Sequence, residues 1–140
     1  MLPAALLGVL LADTECITLA TTLLELFAQQ YLRYPNADNV LGPSRPFFST
    51  YLESIWLLQL VTALDILETA VPMPELAALG SRVRDRLIRP SAALIASYDE
   101  GMSNRQVWNN AALMAAARML DDRVLFDQAL RGRTGLHAHL

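Results

Sequence analysis

The residues best suited to chemistry in this sequence form one run, SNRQVWNN, at positions 103–110. The run combines amides with one guanidinium and one indole, and it leads directly into the alanine-rich stretch AALMAAARML. Asparagine competes with the backbone for hydrogen bonds and is unusual inside helices. At a helix start, however, backbone N–H groups are unpaired and the helix dipole favours anions. The run therefore predicts a site for a carboxylate or a sulfate.

Individual side chains in this run suggest separate roles. Asn104 and Trp108 lie one turn apart on one face of the predicted helix, and Arg105 and Asn109 share the adjacent face. A guanidinium beside amide donors binds carboxylates well, and the Trp108 ring could support a sugar ring. The residues alone favour a structural interpretation, in which Asn104 and Gln106 cap and shield the helix start while Trp108 packs in the core.

Composition limits the classes of protein that this chain can represent. The sequence has 140 residues, of which 54% are hydrophobic and 18% charged, so we expect a single domain over residues 1–140 with a buried core. Its net charge is -3 and all 11 basic residues are arginine, a balance that gives no footprint for nucleic acid. The single Cys16 excludes an internal disulfide, and we expect neither a metal nor another cofactor.

The N-terminal sequence MLPAALLGVLLADTE carries an apolar run that must be distinguished from a targeting or membrane segment. The run lacks a positively charged start, is followed by Asp13 and Glu15, and is too short to cross a bilayer. We therefore expect a buried helix, no membrane partner and no signal peptide in this chain. The compartment stays open, periplasmic or cytoplasmic in a bacterium.

Helical patterns dominate the chain, and no stretch shows the sustained period of two that strands require. Short connections predict antiparallel helical hairpins, so a bundle, a helical-repeat solenoid and part of an incomplete (α/α) toroid all fit this all-α chain. A loop separates the second and third helices at residues 35–48, and Pro90 is expected to kink or split the fourth helix. The predicted N-caps are Asp13 or Thr14, Ser49 or Thr50 with Glu53 completing a capping box, Ser103, and the pair Asp121 and Asp122.

Three segments carry a resemblance to the N-terminal helical domain of the heparinase II/III-like polysaccharide lyases. They are FFSTYLESIWLLQLVTALDILE, RPSAALIASYDEGMSNRQVWNNAALMAAARMLDD and ALRGRTGLHAHL, which together cover most of the chain from about Asn39 onward. The most specific part is SNRQVWNNAAL. The resemblance implies that the chain is part of an incomplete (α/α) toroid, without the separate β-sandwich domain of the family.

The resemblance also implies a reaction and a set of site residues. Lyases of this family cut uronic-acid polysaccharides by β-elimination, and an asparagine on a toroid helix neutralises the uronate carboxylate. Asn104 matches that catalytic asparagine, Arg105 a substrate-charge contact and Trp108 a wall or sugar platform. Gln106 and Asn109 complete the expected substrate-binding set. The implied partner is an acidic polysaccharide or oligosaccharide, of the heparan or alginate kind.

Departures from the family pattern limit the expected activity. Where relatives carry a histidine directly after the asparagine, this chain has Arg105, and nothing matches the context of the family's histidine base or tyrosine acid. His137 and His139 are spaced two apart, which is poor for a metal, and receive no role. We therefore expect a fragment that is inactive alone and that self-associates through faces exposed by truncation. The tyrosines are interpreted as packing residues: Tyr31, Tyr34, Tyr51 and Tyr98.

A second hypothesis from a different class is a non-catalytic helical binding or scaffold module. A tyrosine- and histidine-bearing continuation of the chain with β-rich segments would favour the lyase over this module. Asp121, Asp122 and Asp127 could suggest a cation site, but a helix cap followed by a solvated face explains them better. Glu53, Asp65 and Glu68 could suggest a glycosidase pair, but capping and ion pairing explain them better.

Overall fold

The protein is all-helical, as the sequence predicts. The computed structural model describes residues 1–72 and 74–140, and that part of the chain contains helices and no strand. The α-helices are α1 (Leu2–Leu11), α2 (Thr14–Gln30), α3 (Thr50–Ala70), α4 (Pro74–Val83), α5 (Arg89–Ala96), α6 (Asn104–Leu120) and α7 (Arg123–Arg131). Short 3-10 helices follow α2 at Tyr31–Arg33 and close the chain at Leu136–His139.

Helix starts are set by the predicted capping side chains. Each accepts a hydrogen bond from backbone N–H groups in the first turn of its helix, which satisfies donors that have no partner within the helix. The Asp13 carboxylate, for example, accepts from the N–H groups of Glu15 at 2.9 Å and of Cys16 at 3.2 Å. The four caps observed are Asp13, Ser49, Ser103 and Asp122.

The kink or split predicted at Pro90 takes the form of an interruption of the α-helix just before the proline, and the chain stays helical through it. A π-helical turn at Arg84–Ile88 joins α4 directly to α5, so one helical path runs from Pro74 to Ala96. The N–H of Arg89 bonds to the carbonyl of Arg84, five residues back. Proline lacks an N–H and its ring crowds the preceding turn. The wider turn immediately before Pro90 accommodates it without ending the helix.

Only one half of the capping box predicted at α3 forms. Ser49 caps the helix, but the Glu53 carboxylate turns into the core, where the residue is fully buried. One carboxylate oxygen accepts hydrogen bonds from the hydroxyls of Tyr31 and Ser91, the latter at 2.7 Å. The other accepts from the Ser44 hydroxyl at 2.7 Å and the Arg45 N–H at 2.9 Å. Glu53 therefore joins the end of α2, the 34–49 loop, α3 and α5.

Tyr31 makes the folded protein sensitive to alkaline pH. Burial, and then the charge of Glu53, raises the pKa of the Tyr31 phenol far above its ordinary value of 10.0. Above about pH 10 the unfolded chain releases this proton while the folded chain keeps it. The unfolded state then binds fewer protons, so the free energy of unfolding falls as pH rises.

We predict that the free energy of unfolding falls by up to about 1.4 kcal/mol per pH unit above pH 10. Tyr31→Phe should be less stable than the wild type at neutral pH but should lack this dependence on pH. Urea unfolding of both proteins at pH 9 and pH 11 measures it. Tyr34→Phe, at an exposed position, is the matched control and should keep the wild-type slope. Equal slopes in the wild type and Tyr31→Phe would show that Tyr31 does not carry the effect.

The contacts between the helices group them into two layers. We call α1, α3 and α6 the front layer, because α1 packs on α3 and α3 packs on α6; α2, α4–α5 and α7 form the back layer. Helices α3 and α6 run parallel, since Ser54 contacts Asn109 near their starts while Val61 and Ala115 line one cavity farther along. Parallel neighbours in one layer, connected through antiparallel helices in the other, occur in (α/α) toroids and in helical solenoids alike.

Helix α1 is not the buried helix that the sequence predicts, because it lies at the edge of the front layer and leaves one apolar face uncovered. It carries no charged residue, and four of its leucines are 40% to 75% exposed: Leu6, Leu7, Leu10 and Leu11. Self-association through this face stays a prediction. Helix α3 has the length and hydropathy of a membrane span, but half of its apolar window is buried within this fold, as in the central helix of a packed core.

Candidate functional site

Asn104 occupies the first position of α6, directly after the cap residue Ser103. Its side chain is exposed, and no described residue forms a hydrogen bond with its amide. The Ser103 hydroxyl already accepts from the Gln106 N–H at 3.1 Å, so the Asn104 amide is not needed to cap the helix. This side chain therefore has both amide hydrogens available at the positive end of the helix dipole.

Arg105 joins the starts of the two parallel front helices. Its guanidinium lies 5.8 Å from the centroid of the Tyr51 ring, in the first turn of α3, a distance typical of a cation–π contact. On the α6 side it lies 3.6 Å from the Glu100 carboxylate, an ion pair that is too long for a hydrogen bond. The arginine side chain is 45% exposed, so part of its fork still faces solvent.

Trp108 lies one helical turn beyond Asn104, on the same face of α6. Its side chain is 42% exposed and is therefore not a core residue. Tryptophan combines an apolar ring with an N–H donor and is enriched at binding interfaces. Asn104, Arg105 and Trp108 together form an open surface of an amide, a cation and a ring at the start of α6. We call these three residues the α6 site.

Gln106 faces the opposite way and is used inside the fold. Its side-chain oxygen accepts from the Glu100 N–H at 2.9 Å, and its nitrogen donates to the Asn110 side-chain oxygen at 3.0 Å. Asn110 in turn donates to the Thr134 carbonyl at 2.7 Å. These amides fasten the 97–103 loop and the C-terminal segment to α6. The substrate contact predicted for Gln106 would require it to give up those bonds.

Asn109 is also inside, at the contact between α3 and α6. It is fully buried, and its side-chain oxygen accepts a hydrogen bond from the Ser54 hydroxyl at 2.7 Å. Its amide nitrogen has no hydrogen-bond partner among the described residues. A direct contact with a polysaccharide, as predicted from the sequence, is not available to this side chain in the structure. The Ser54–Asn109 bond instead fixes how α3 and α6 lie against each other.

Sequence reasoning missed two neighbours of the site, Tyr51 and Glu100. Tyr51 was interpreted as a packing residue, but its ring supports Arg105 from another helix. Glu100 lies three residues before the cap of α6 with a side chain only 7% exposed, and the buried oxygen Oε2 lacks a hydrogen-bond partner among the described residues. The sequence signal for Glu100 is weak, because only its position just before a capped helix places it near Arg105.

Other titratable residues do not form an alternative centre. In the part of the chain that the structure describes, no three histidine, cysteine, aspartate or glutamate side chains converge as metal ligands would. His139 lies beside the Thr134 carbonyl at 3.3 Å, in the final 3-10 helix. Glu68 pairs with Arg84, and Asp122 caps α7, as the structural interpretation of both acidic groups predicts. No protein-family model matches this sequence, and no curated protein is significantly similar to it.

Proposed function

We propose that this chain carries the carboxylate-binding part of a polysaccharide lyase site, which acts on uronic-acid-containing glycans by β-elimination. One observation carries the proposal: the exposed, unbonded amide of Asn104 at the start of α6, beside Arg105 and Trp108. The resemblance of SNRQVWNNAAL to heparinase II/III-like lyases supports the same assignment. The parallel packing of α3 and α6 is compatible with the toroid of those enzymes.

The reaction explains why an amide is useful at this place. A base removes the proton at C5 of the uronate, the electron pair forms the C4–C5 double bond, and the glycosidic oxygen leaves C4. The C5 proton is weakly acidic because the neighbouring carboxylate already carries a negative charge. Hydrogen bonds from Asn104 to that carboxylate would stabilise the charge that develops in the transition state. The amide does this without introducing an acid of its own.

Arg105 and Trp108 would hold the sugar for that step. The partly exposed guanidinium can share the carboxylate charge, and its contact with Tyr51 limits its movement. The Trp108 ring can stack against the apolar face of a pyranose. Tyr51 lies beside the α6 site, where its ring supports Arg105, and we assign neither the catalytic base nor the catalytic acid. Binding is therefore the property that this chain can be tested for directly.

The second candidate is a helical binding or scaffold module without chemistry. The internal roles of Gln106 and Asn109 favour it, because both amides are explained by packing and loop attachment alone. The two candidates differ in one product. A lyase releases an unsaturated uronate that absorbs in the ultraviolet, whereas a module binds without turnover.

Tryptophan fluorescence tests the proposed site, because the two tryptophans have different environments. Trp108 is exposed, whereas Trp56 packs against Phe27, Tyr31 and Phe47. We predict that a uronic-acid tetrasaccharide shifts the emission of the wild type and that Trp108→Phe removes the shift while Trp56 still emits. A neutral tetrasaccharide of the same linkage is the ligand control. An equal response to the neutral sugar, or a shift that persists in Trp108→Phe, would contradict the proposal.

A further inference from the structure

We infer that Glu100 restricts the α6 site to uronate glycans that carry no sulfate on the bound sugars. This inference rests on the proposed function and narrows its substrate class. The Glu100 carboxylate lies 3.6 Å from the guanidinium of Arg105, so the cation that would bind an acidic sugar already has an anionic neighbour. The site can then accept one further negative charge but is poorly suited to several.

The setting of Glu100 makes its charge effective at short range. Its side chain is 7% exposed, and the buried oxygen Oε2 has no hydrogen-bond partner among the described residues. No described donor therefore spreads the charge on Oε2, and the low exposure of the side chain limits its contact with water. Charges in such surroundings interact more strongly than charges at an open surface. A sulfate placed near Arg105 would meet the attraction of the guanidinium together with the repulsion of Glu100.

The cavity farther along α3 and α6 offers no excess positive charge for a sulfated chain. A cavity of about 470 Å³ lies between α3 and α6 beyond the α6 site, and its charged lining residues are Asp65, Arg84 and Arg118. Arg84 is held by Glu68, with 2.8 Å between guanidinium and carboxylate. Arg118 shares the cavity with Asp65. Each of the three arginines therefore has a carboxylate nearby. The pairs are Arg84 with Glu68, Arg118 with Asp65, and Arg105 with Glu100.

This balance distinguishes classes of acidic glycan. A uronate carries one charge per acidic ring, which Asn104, Arg105 and the positive ends of two parallel helices can meet. Each sulfate adds a charge that needs its own uncompensated cation, and the chain as a whole has a net charge of -3. Repulsion of the wrong ligand gives selectivity in addition to attraction of the right one. Glu100 supplies that repulsion beside the bound carboxylate.

The test compares two ligands on two proteins. An unsulfated polyuronate tetrasaccharide and a sulfated uronate-containing tetrasaccharide are titrated into the wild type and into Glu100→Gln, with binding followed by Trp108 fluorescence. We expect the wild type to bind the unsulfated ligand more tightly. Glu100→Gln keeps the shape of the side chain and removes its charge, so binding of the sulfated ligand should improve about tenfold, equivalent to about 1.4 kcal/mol.

Two controls separate this effect from loss of structure. Glu25 pairs with Arg82 on the back layer at 2.7 Å, so Glu25→Gln removes a paired carboxylate far from α6 and should leave the selectivity unchanged. Thermal unfolding verifies that each variant is folded. Tighter wild-type binding of the sulfated ligand, or an unchanged ratio of affinities in Glu100→Gln, would overturn the role of Glu100 while leaving the uronate site in place. Failure of both ligands to bind the wild type would overturn the proposed function and this inference with it.

Discussion

Replacing Glu53 with alanine is expected to lower the free energy of unfolding by at least about 3 kcal/mol, because leaving a buried donor unsatisfied costs about 1–3 kcal/mol for each donor. Four donors point at this carboxylate, from the side chains of Tyr31, Ser44 and Ser91 and from the Arg45 N–H. Without it they are left in the interior, and each buried unsatisfied donor is costly. A domain of this size is stable by only about 5–15 kcal/mol, so the change removes a large share.

Glu53→Gln separates charge from shape in this cluster. The glutamine keeps one acceptor oxygen but presents an NH₂ group to donors. We therefore expect a clear loss of stability that is smaller than the loss in the alanine variant. Glu75→Ala is the matched control, because Glu75 is an exposed glutamate in the first turn of α4, and it should cost less than about 1 kcal/mol. Urea unfolding measures all three variants. A Glu53→Ala midpoint equal to that of Glu75→Ala would show that the buried network does not stabilise the fold.

Local features of the fold could be predicted from the sequence because their causes are local. A capping side chain bonds to N–H groups only two or three residues away. Ser103 and Asp122 therefore predict where their helices start from the local sequence alone. Glu53 fits the same local rule, since it lies three residues after Thr50, the alternative predicted cap, and four after Ser49, the observed cap. In the folded chain, contacts with Tyr31 and Ser91, which lie 22 and 38 residues away, take its carboxylate instead. No local pattern carries that information.

The local sequence likewise does not predict which residues of the amide run are exposed and which are buried. Helix α6 carries alanines on both faces, with Ala112 and Ala116 buried and Ala111 and Ala115 partly exposed. Hydrophobic periodicity therefore does not mark the side that faces the core. Once the buried face is known, helical spacing sends Gln106 inward and leaves Asn104 and Trp108 on the outer face. Asn104, Arg105 and Trp108 are the predicted site residues that stay accessible, whereas Gln106 and Asn109 are placed by packing that the sequence does not reveal.

Replacing Asn104 should separate binding from folding more cleanly than any other change in the chain. Its side chain is exposed and has no hydrogen-bond partner among the described residues, so Asn104→Ala should leave the unfolding midpoint nearly unchanged. On the proposed function it removes a hydrogen bond to a charged group, worth about 1.5–3 kcal/mol. Affinity for a uronic-acid tetrasaccharide, read from Trp108 fluorescence, should therefore fall at least about tenfold.

Asn104→Asp gives the sharper comparison, because it keeps the size of the side chain and reverses its function. A carboxylate at this position would repel the uronate, whereas the amide donates hydrogen bonds to it. The affinity of Asn104→Asp for the tetrasaccharide should therefore fall below that of Asn104→Ala. Asn36→Ala, at an exposed loop position, is the matched control and should bind as the wild type does. In an enzyme that contains the complete site, loss of the amide should reduce turnover by about 10²–10³-fold. Wild-type affinity in both Asn104 variants would remove this residue from the site, because the other amides on α6, those of Gln106, Asn109 and Asn110, are buried.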